Sequence, residues 1–237
     1  VKIPQIIHQT WKTNDVPSCW RDYQRKVRQL HPGWEYRLWT DVDNDAFVRQ
    51  EFPGFYPVYA GFERNIMRAD VIRYLIMFKL GGMYLDLDYE FLKPFDFEDA
   101  ELVLPMNRSL ASGDSYDGVG NCVFASVPGH VFWSDAIEDL RNKPPDTRHY
   151  GEVIDATGPM FLTRIYDRKP YPGVLVTGRE LFHPPAPHGR REYMAIVEKG
   201  VSYGIHHGWG SWKERLSMEY LKRRTRKLLS MMGVTRR

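Results

Sequence analysis

Asp86 and Asp88 stand two residues apart in the run Met83-Tyr84-Leu85-Asp86-Leu87-Asp88-Tyr89, which is otherwise apolar or aromatic. In an extended segment that spacing turns both carboxylates to one side. Two like charges a few ångströms apart repel unless a cation, a shared proton or water lies between them. Carboxylate oxygens are hard ligands suited to Mg²⁺ or Mn²⁺, and charge is costly in so apolar a setting unless it is used. A divalent cation is therefore the chemistry this pair suggests. The pattern alone is weak, since an Asp-x-Asp arises about once by chance in a chain of this length. Asp41-Val42-Asp43-Asn44-Asp45 contains it twice. That stretch has Ala46 and Phe52 where a calcium loop needs Gly and Glu, so it reads as a solvated helix start.

The elements that must carry Asp86 and Asp88 can be read from periodicity and breakers. Glu63 to Leu80 has no breaker and is apolar around most of its circumference, which predicts a buried helix. Gly81-Gly82 follows at the expected C-terminal position, and Met83 to Phe91 reads as a strand, or a strand end, bearing the acidic pair. Asp70 and Arg73 share one face of the helix. As an ordinary helix salt bridge they contribute a few tenths of a kcal/mol; on so apolar a helix a pair with work to do is the stronger reading.

Further strands are predicted at Ile3–Trp11, Trp34–Trp39, Leu102–Leu104, Asn121–Ser126, Val174–Val176 and Ser202–His207. Helices are predicted at Cys19–Leu30, Asp43–Phe52, Val131–Leu140, after Pro159 and from Trp212 onward. This alternation indicates an α/β sheet covered on both faces. Residues 1–212 read as a single domain, with hydrophobic content of 43% indicating a folded core. No apolar run approaches the ~18 residues needed to span a bilayer. The start lacks a signal-peptide pattern, and a chain trimmed of an anchor looks the same. Cys19 and Cys122 read as two buried free thiols.

Net charge is +3, yet residues 213–237 hold nine Lys/Arg and two Glu, a balance of +7 that leaves the body at −4. A mildly acidic body with a basic tail excludes a nucleic-acid-binding fold, whose basic surface would belong to the domain itself. In the tail, Met218, Leu221, Thr225, Leu228, Leu229 and Met232 form one helical stripe flanked by Lys222, Arg223, Arg224, Arg226 and Lys227. That profile fits either an interfacial helix on anionic lipid or a helix packed on the body with a solvated basic face.

The run Arg68-Ala69-Asp70 through Arg73 and Gly81-Gly82 to Asp86-Leu87-Asp88 resembles the signature of family 32 glycosyltransferases, the DXD sugar-binding region enzymes. Ile3-Pro4-Gln5-Ile6-Ile7-His8-Gln9-Thr10-Trp11, Ala156-Thr157-Gly158-Pro159 and His206-His207-Gly208-Trp209-Gly210-Ser211-Trp212 resemble family blocks in the same order. The resemblance implies a GT-A fold, a Rossmann-like mixed sheet with helices on both faces. It also implies a retaining transfer of a hexose or N-acetylhexosamine from a UDP- or GDP-sugar to a glycan or glycolipid. Asp88 and Asp86 would bind Mn²⁺ or Mg²⁺, with Asp86 also near the donor ribose. One of His206 and His207, with His206 preferred, would complete the shell, and an imidazole ligand favours Mn²⁺. Asp70 and Arg73 would hold the donor sugar. Trp11 would stack on the base, with Gln9, Ser211 and Trp212 also at the nucleotide. Asn121 would stabilise the cationic sugar or serve only as a strand-end Asn.

The competing classes are a sugar-binding module without catalysis and a paired-Asp phosphatase. Intact Asp86, Asp88, His206 and Trp212 weigh against the first; Glu90, where a phosphatase of that kind wants Thr or Val, weighs against the second. The expected location is the cytoplasm, peripheral at the inner membrane face, or the Golgi lumen if an anchor precedes the chain.

Overall fold

The computed structural model describes residues 2–97, 99–109, 116–146 and 150–208. Residues 213–237 and their expected helix lie outside the described residues, as do Ser211 and Trp212. In chain order the first elements are β1 (Ile6–Thr10), α1 (Ser18–Leu30), β2 (Glu35–Trp39), α2 (Asp41–Glu51), α3 (Tyr56–Gly61) and α4 (Asn65–Leu80). Then come β3 (Gly82–Leu85), β4 (Tyr89–Phe91), β5 (Leu102–Ser109), β6 (Tyr116–Val119), β7 (Val123–Ser126) and α5 (Val131–Asn142). The remainder is α6 (Tyr150–Ala156), α7 (Pro159–Tyr166), β8 (Val174–Thr177), α8 (Arg179–Phe182), α9 (Arg190–Lys199) and β9 (Gly204–His206).

The principal sheet runs β2-β1-β3-β7-β5-β6, with β8 beside the first half of β5. The β1–β2, β1–β3 and β5–β8 pairs are parallel, and the pairs that β7 makes with β3 and β5 are antiparallel. Short strand β3 shows why both faces are covered. Tyr84 enters one apolar cluster, with α4, α5 and α7, while Met83 and Leu85 enter the other. Period-2 alternation with no polar face is the mark of a strand buried on both sides.

Helix α4 is the spine of the first cluster: Met67 and every residue from Asp70 to Met77 are buried. Each fully buried Leu or Ile here contributes on the order of 1.5–3 kcal/mol. Its end is sharply specified. Gly81 and Gly82 have φ of 65° and 93°, the left-handed region that side chains disfavour. A Cβ on Gly81 would sit 2.6 Å from the Ser126 carbonyl oxygen, and one on Gly82 2.7 Å from that of Ile6. The chain can therefore pass from helix into the centre of the sheet only through glycines, and it delivers the next residues to the end of β3.

Two expectations are corrected. Cys19 is exposed, so only Cys122 is a buried thiol. The predicted strand over Met83–Phe91 is broken into β3 and β4, and β4 pairs instead with β9 in a separate two-stranded sheet. Short elements without a strong apolar period, β6, α3, α6, α8 and α9, were not anticipated.

Candidate active site

Asp86-Leu87-Asp88 is a turn. The β3–β7 ladder ends as the Asp86 amide donates to the Cys122 carbonyl (2.8 Å), and the Tyr89 amide donates back to the Asp86 carbonyl (3.0 Å). Convergence of the two carboxylates thus comes from reversal of the chain, not from strand alternation. Leu87 anchors the turn from below, buried with Val16 and Trp20 and flanked by Trp11.

Strand β9 sets His206 opposite Tyr89. The His206 Nε2 then lies 3.2 Å from Asp88 Oδ1 and 4.0 Å from Asp86 Oδ2. Ligand atoms of Asp86, Asp88 and His206 all fall within 4.8 Å of one another, and no other such group forms among the described residues. Two carboxylates and an imidazole at that spacing fit a divalent transition-metal ion.

His207 turns away. Its Nε2 donates to Glu90 Oε2 at 3.0 Å, its ring stacks on Tyr23 at 4.9 Å, and its backbone N–H holds the Asp88 carbonyl at 3.0 Å. Glu90 also accepts from Lys26 and Tyr193, each at 2.8 Å. Burial opposes its charge, but these donors outweigh it and hold the carboxyl down at about 2.

Behind the turn sits a buried polar knot. Arg73 bridges Asp70 (3.2 Å) and Asp86 (3.3 Å), and its guanidinium lies over the Tyr84 ring. Tyr84 donates its hydroxyl to Asp86 Oδ1 at 2.8 Å. Asp70 accepts from Asn121 Nδ2 (3.1 Å) and from the Thr157 hydroxyl (3.0 Å). Burial pushes the Asp70 carboxyl up to about 7, against the pull of Arg73 and Thr157. Burial likewise disfavours charge on Arg73, yet Asp86, Tyr84 and Asp70 more than offset it and keep the guanidinium protonated.

Asp86 remains a quarter exposed, but protein crowds it on enough sides that desolvation is the largest influence. Its carboxyl is raised by that burial and by Asp88, with Arg73 pulling the other way. On His206 burial opposes the charged ring, while Cys122 and Asp88 outweigh it and raise the pKa above the ordinary histidine value.

The expected nucleotide residues divide. Trp11 is half-buried beside the turn, edge-on to Trp20 at 4.8 Å, with its indole N–H on the Asp15 carbonyl. Gln9 is fully buried and already engaged, donating to the Asp86 carbonyl at 3.3 Å and accepting from Tyr36 at 2.7 Å. Its place is under the acidic turn. Sequence reasoning passed over Tyr84, Thr157 as a partner of Asp70, Glu90 and His183. Of these only Thr157 and Glu90 carried a signal, being polar residues inside or beside a recognised block.

Residues 17–109 match the family model described as glycosyltransferase sugar-binding region containing DXD motif. The chain is 38% identical over 165 residues to mannosyl phosphorylinositol ceramide synthase CSH1 of Saccharomyces cerevisiae, covering 69% of this chain and 42% of that protein. It is also 38% identical over 168 residues to inositol phosphoceramide mannosyltransferase 3 of Schizosaccharomyces pombe, covering 69% and 45%. The chain thus spans less than half the length of these two curated relatives. Among solved structures, PaToxG glycosyltransferase superposes with a TM-score of 0.52 at 13% identity, covering 98% of this chain and 87% of that one. That likeness is one of fold, and the fold is GT-A.

Proposed function

Because the chain belongs, through residues 17–109, to the DXD-containing glycosyltransferase sugar-binding-region family, we propose that it is a metal-dependent, retaining hexosyltransferase. It takes the sugar from a UDP- or GDP-sugar and delivers it to a glycan or glycolipid. The named fungal relatives favour mannose as the sugar and a phosphoinositol-bearing lipid as the acceptor.

The observation that carries this reading is the meeting of Asp86, Asp88 and His206 at one point. A divalent ion held there supplies positive charge where the leaving diphosphate becomes more negative. The imidazole in the donor set favours Mn²⁺ over Mg²⁺. Arg73 fixes the Asp86 carboxylate from behind and adds a permanent positive charge. Asn121 has its Nδ2 committed to Asp70, which leaves the amide oxygen to face the developing positive charge of the sugar. Asp70 and Arg73 border the donor sugar, and Trp11 stacks on the base. Ser211 and Trp212 donate to the leaving phosphate. In a retaining reaction the acceptor attacks from the leaving-group side, so a donor phosphate oxygen takes its proton and no protein base is needed.

Thermal-shift screening of UDP- and GDP-sugars with Mn²⁺ tests the proposal. The true donor at a hundred times its Kd stabilises by about 2.7 kcal/mol, and chelation with EDTA removes the shift. A protein that no nucleotide sugar stabilises, or that only releases free sugar in the presence of acceptor lipid, refutes it. The tail, residues 213–237, is assigned to an anionic membrane surface at the inner face. Liposome sedimentation with and without it decides, and equal binding by both forms removes that assignment.

A further inference from the structure

Glu90 is a buried carboxylate that the proposed reaction leaves unused. It stands in β4 between Tyr89 and Phe91, whose rings enter the second apolar cluster. Strand alternation therefore turns Glu90 to the opposite face, where it is 6% exposed. Three side chains from distant parts of the chain meet it there. Lys26 of α1 and the Tyr193 hydroxyl of α9 both donate to Oε1 at 2.8 Å. Oε2 is left to His207 Nε2 at 3.0 Å, and because a carboxylate only accepts, that nitrogen carries the hydrogen.

His207 is thereby held at three points. Glu90 is the first. The second is Tyr23, whose ring lies within 3° of parallel to the imidazole, with centroids 4.9 Å apart. The third is main chain: the His207 N–H donates to the Asp88 carbonyl oxygen at 3.0 Å. That bond carries the β4–β9 pairing, which sets Tyr89 opposite His206 and Glu90 opposite Ile205, one step further into the acidic turn. It fixes the backbone of the residue whose Oδ1 lies 3.2 Å from His206 Nε2. Stability gives little reason for such a network. Taking a carboxylate and an ammonium out of water offsets much of their attraction, and well-packed apolar groups in their place are often neutral or stabilising.

We propose that Glu90 is a positioning residue for the acidic turn. Through His207 it sets the chain leaving β9 against Asp88, and so holds Asp88 and His206 at ligand spacing. Lys26 and Tyr193 fix Glu90 itself, bringing α1 and α9 into the same support. The inference rests on the metal site proposed above and deepens it.

Two readouts separate positioning from general support of the fold. Amide hydrogen exchange of the metal-free protein is expected to show the residue-207 N–H losing protection in Glu90→Ala, while the amides of α4 keep theirs. Mn²⁺ titration followed by electron paramagnetic resonance is expected to show the same variant binding about 10-fold more weakly. That is the lower end of the loss on removing a partner of a metal ligand, because Glu90 acts through His207. His207→Phe keeps a ring on Tyr23 and the main-chain N–H but cannot bond Glu90, and it should show both losses. Retained protection of α4 confirms that each variant is folded. If both folded variants bind Mn²⁺ like the parent, or keep the residue-207 amide protected, the proposal is refuted. Equal loss of protection in α4 and at residue 207 makes Glu90 a support of the whole fold and also overturns it. If the parent itself takes up no Mn²⁺, the function proposed above falls, while exchange at residue 207 still decides whether Glu90 holds the turn.

Discussion

The chain contains Asp-x-Asp in two segments, and it uses them differently. In Asp41–Asp45 the carboxylates are spent on the helix they open. Asp43 closes a capping box with Thr40, accepting its N–H at 2.9 Å and its hydroxyl at 2.7 Å while its own amide donates to the Thr40 oxygen. Asp45 takes Arg49 at 2.6 Å and Tyr56 at 2.8 Å. Asp41 is exposed at the helix start, where the dipole welcomes a negative charge. In Asp86–Asp88 no helix takes up the charge. The two carboxylates are drawn together by a turn and faced with His206 from a distant strand. The difference teaches that the pattern itself says nothing; what matters is whether local backbone amides and neighbouring side chains consume the carboxylates or leave them facing one another.

The comparison predicts mutational effects of very different size. Asp88→Ala removes one of the three proposed ligands, and Mn²⁺-dependent stabilisation by the donor should vanish in a thermal-shift assay. Retained stabilisation would put the site elsewhere. Gly82→Ala forces a side chain into the Ile6 carbonyl and a disfavoured φ, and should cost about 1–3 kcal/mol in urea unfolding while weakening Mn²⁺ binding. Asp43→Ala, at the N3 position of the box, should cost about 0.5 kcal/mol of stability and leave Mn²⁺ binding unchanged.

The same cap has a pH signature. Bonds from the Thr40 hydroxyl and amide depress the Asp43 pKa below its usual 3.8. Its contribution is therefore complete above the unfolded value and is lost as pH falls through the folded one. Asp43→Asn should flatten that part of the acid unfolding curve. Smallest of all, Asp41→Ala should be silent in both assays; a loss of donor binding would overturn the contrast between the two segments.

Much of this was legible before any coordinates. The buried helix α4, the twin glycines and the distinction between the two acidic segments follow from periodicity, breakers and flanking chemistry. The family resemblance put forward one of His206 and His207, with His206 preferred. In the structure the His206 ring faces the turn and the His207 ring meets Glu90 and Tyr23. What escaped the sequence is of one kind. The Asp86–Asp88 turn depends on a carbonyl from Cys122, and Gln9 was assigned to nucleotide when its amide is engaged under that turn. The Asp70 knot needs Thr157, 87 residues away in the chain. Contacts between residues far apart leave no periodic trace, so neither a hydrophobic period nor a local motif can announce them.

The β4–β9 pairing carries a consequence for biosynthesis. Asp86 and Asp88 emerge from the ribosome early, whereas His206 follows only after α9. A nascent chain can assemble β1, β3 and β7 and still lack the third member of the Asp86–Asp88–His206 cluster, which is complete only once β9 has been made and has docked against β4.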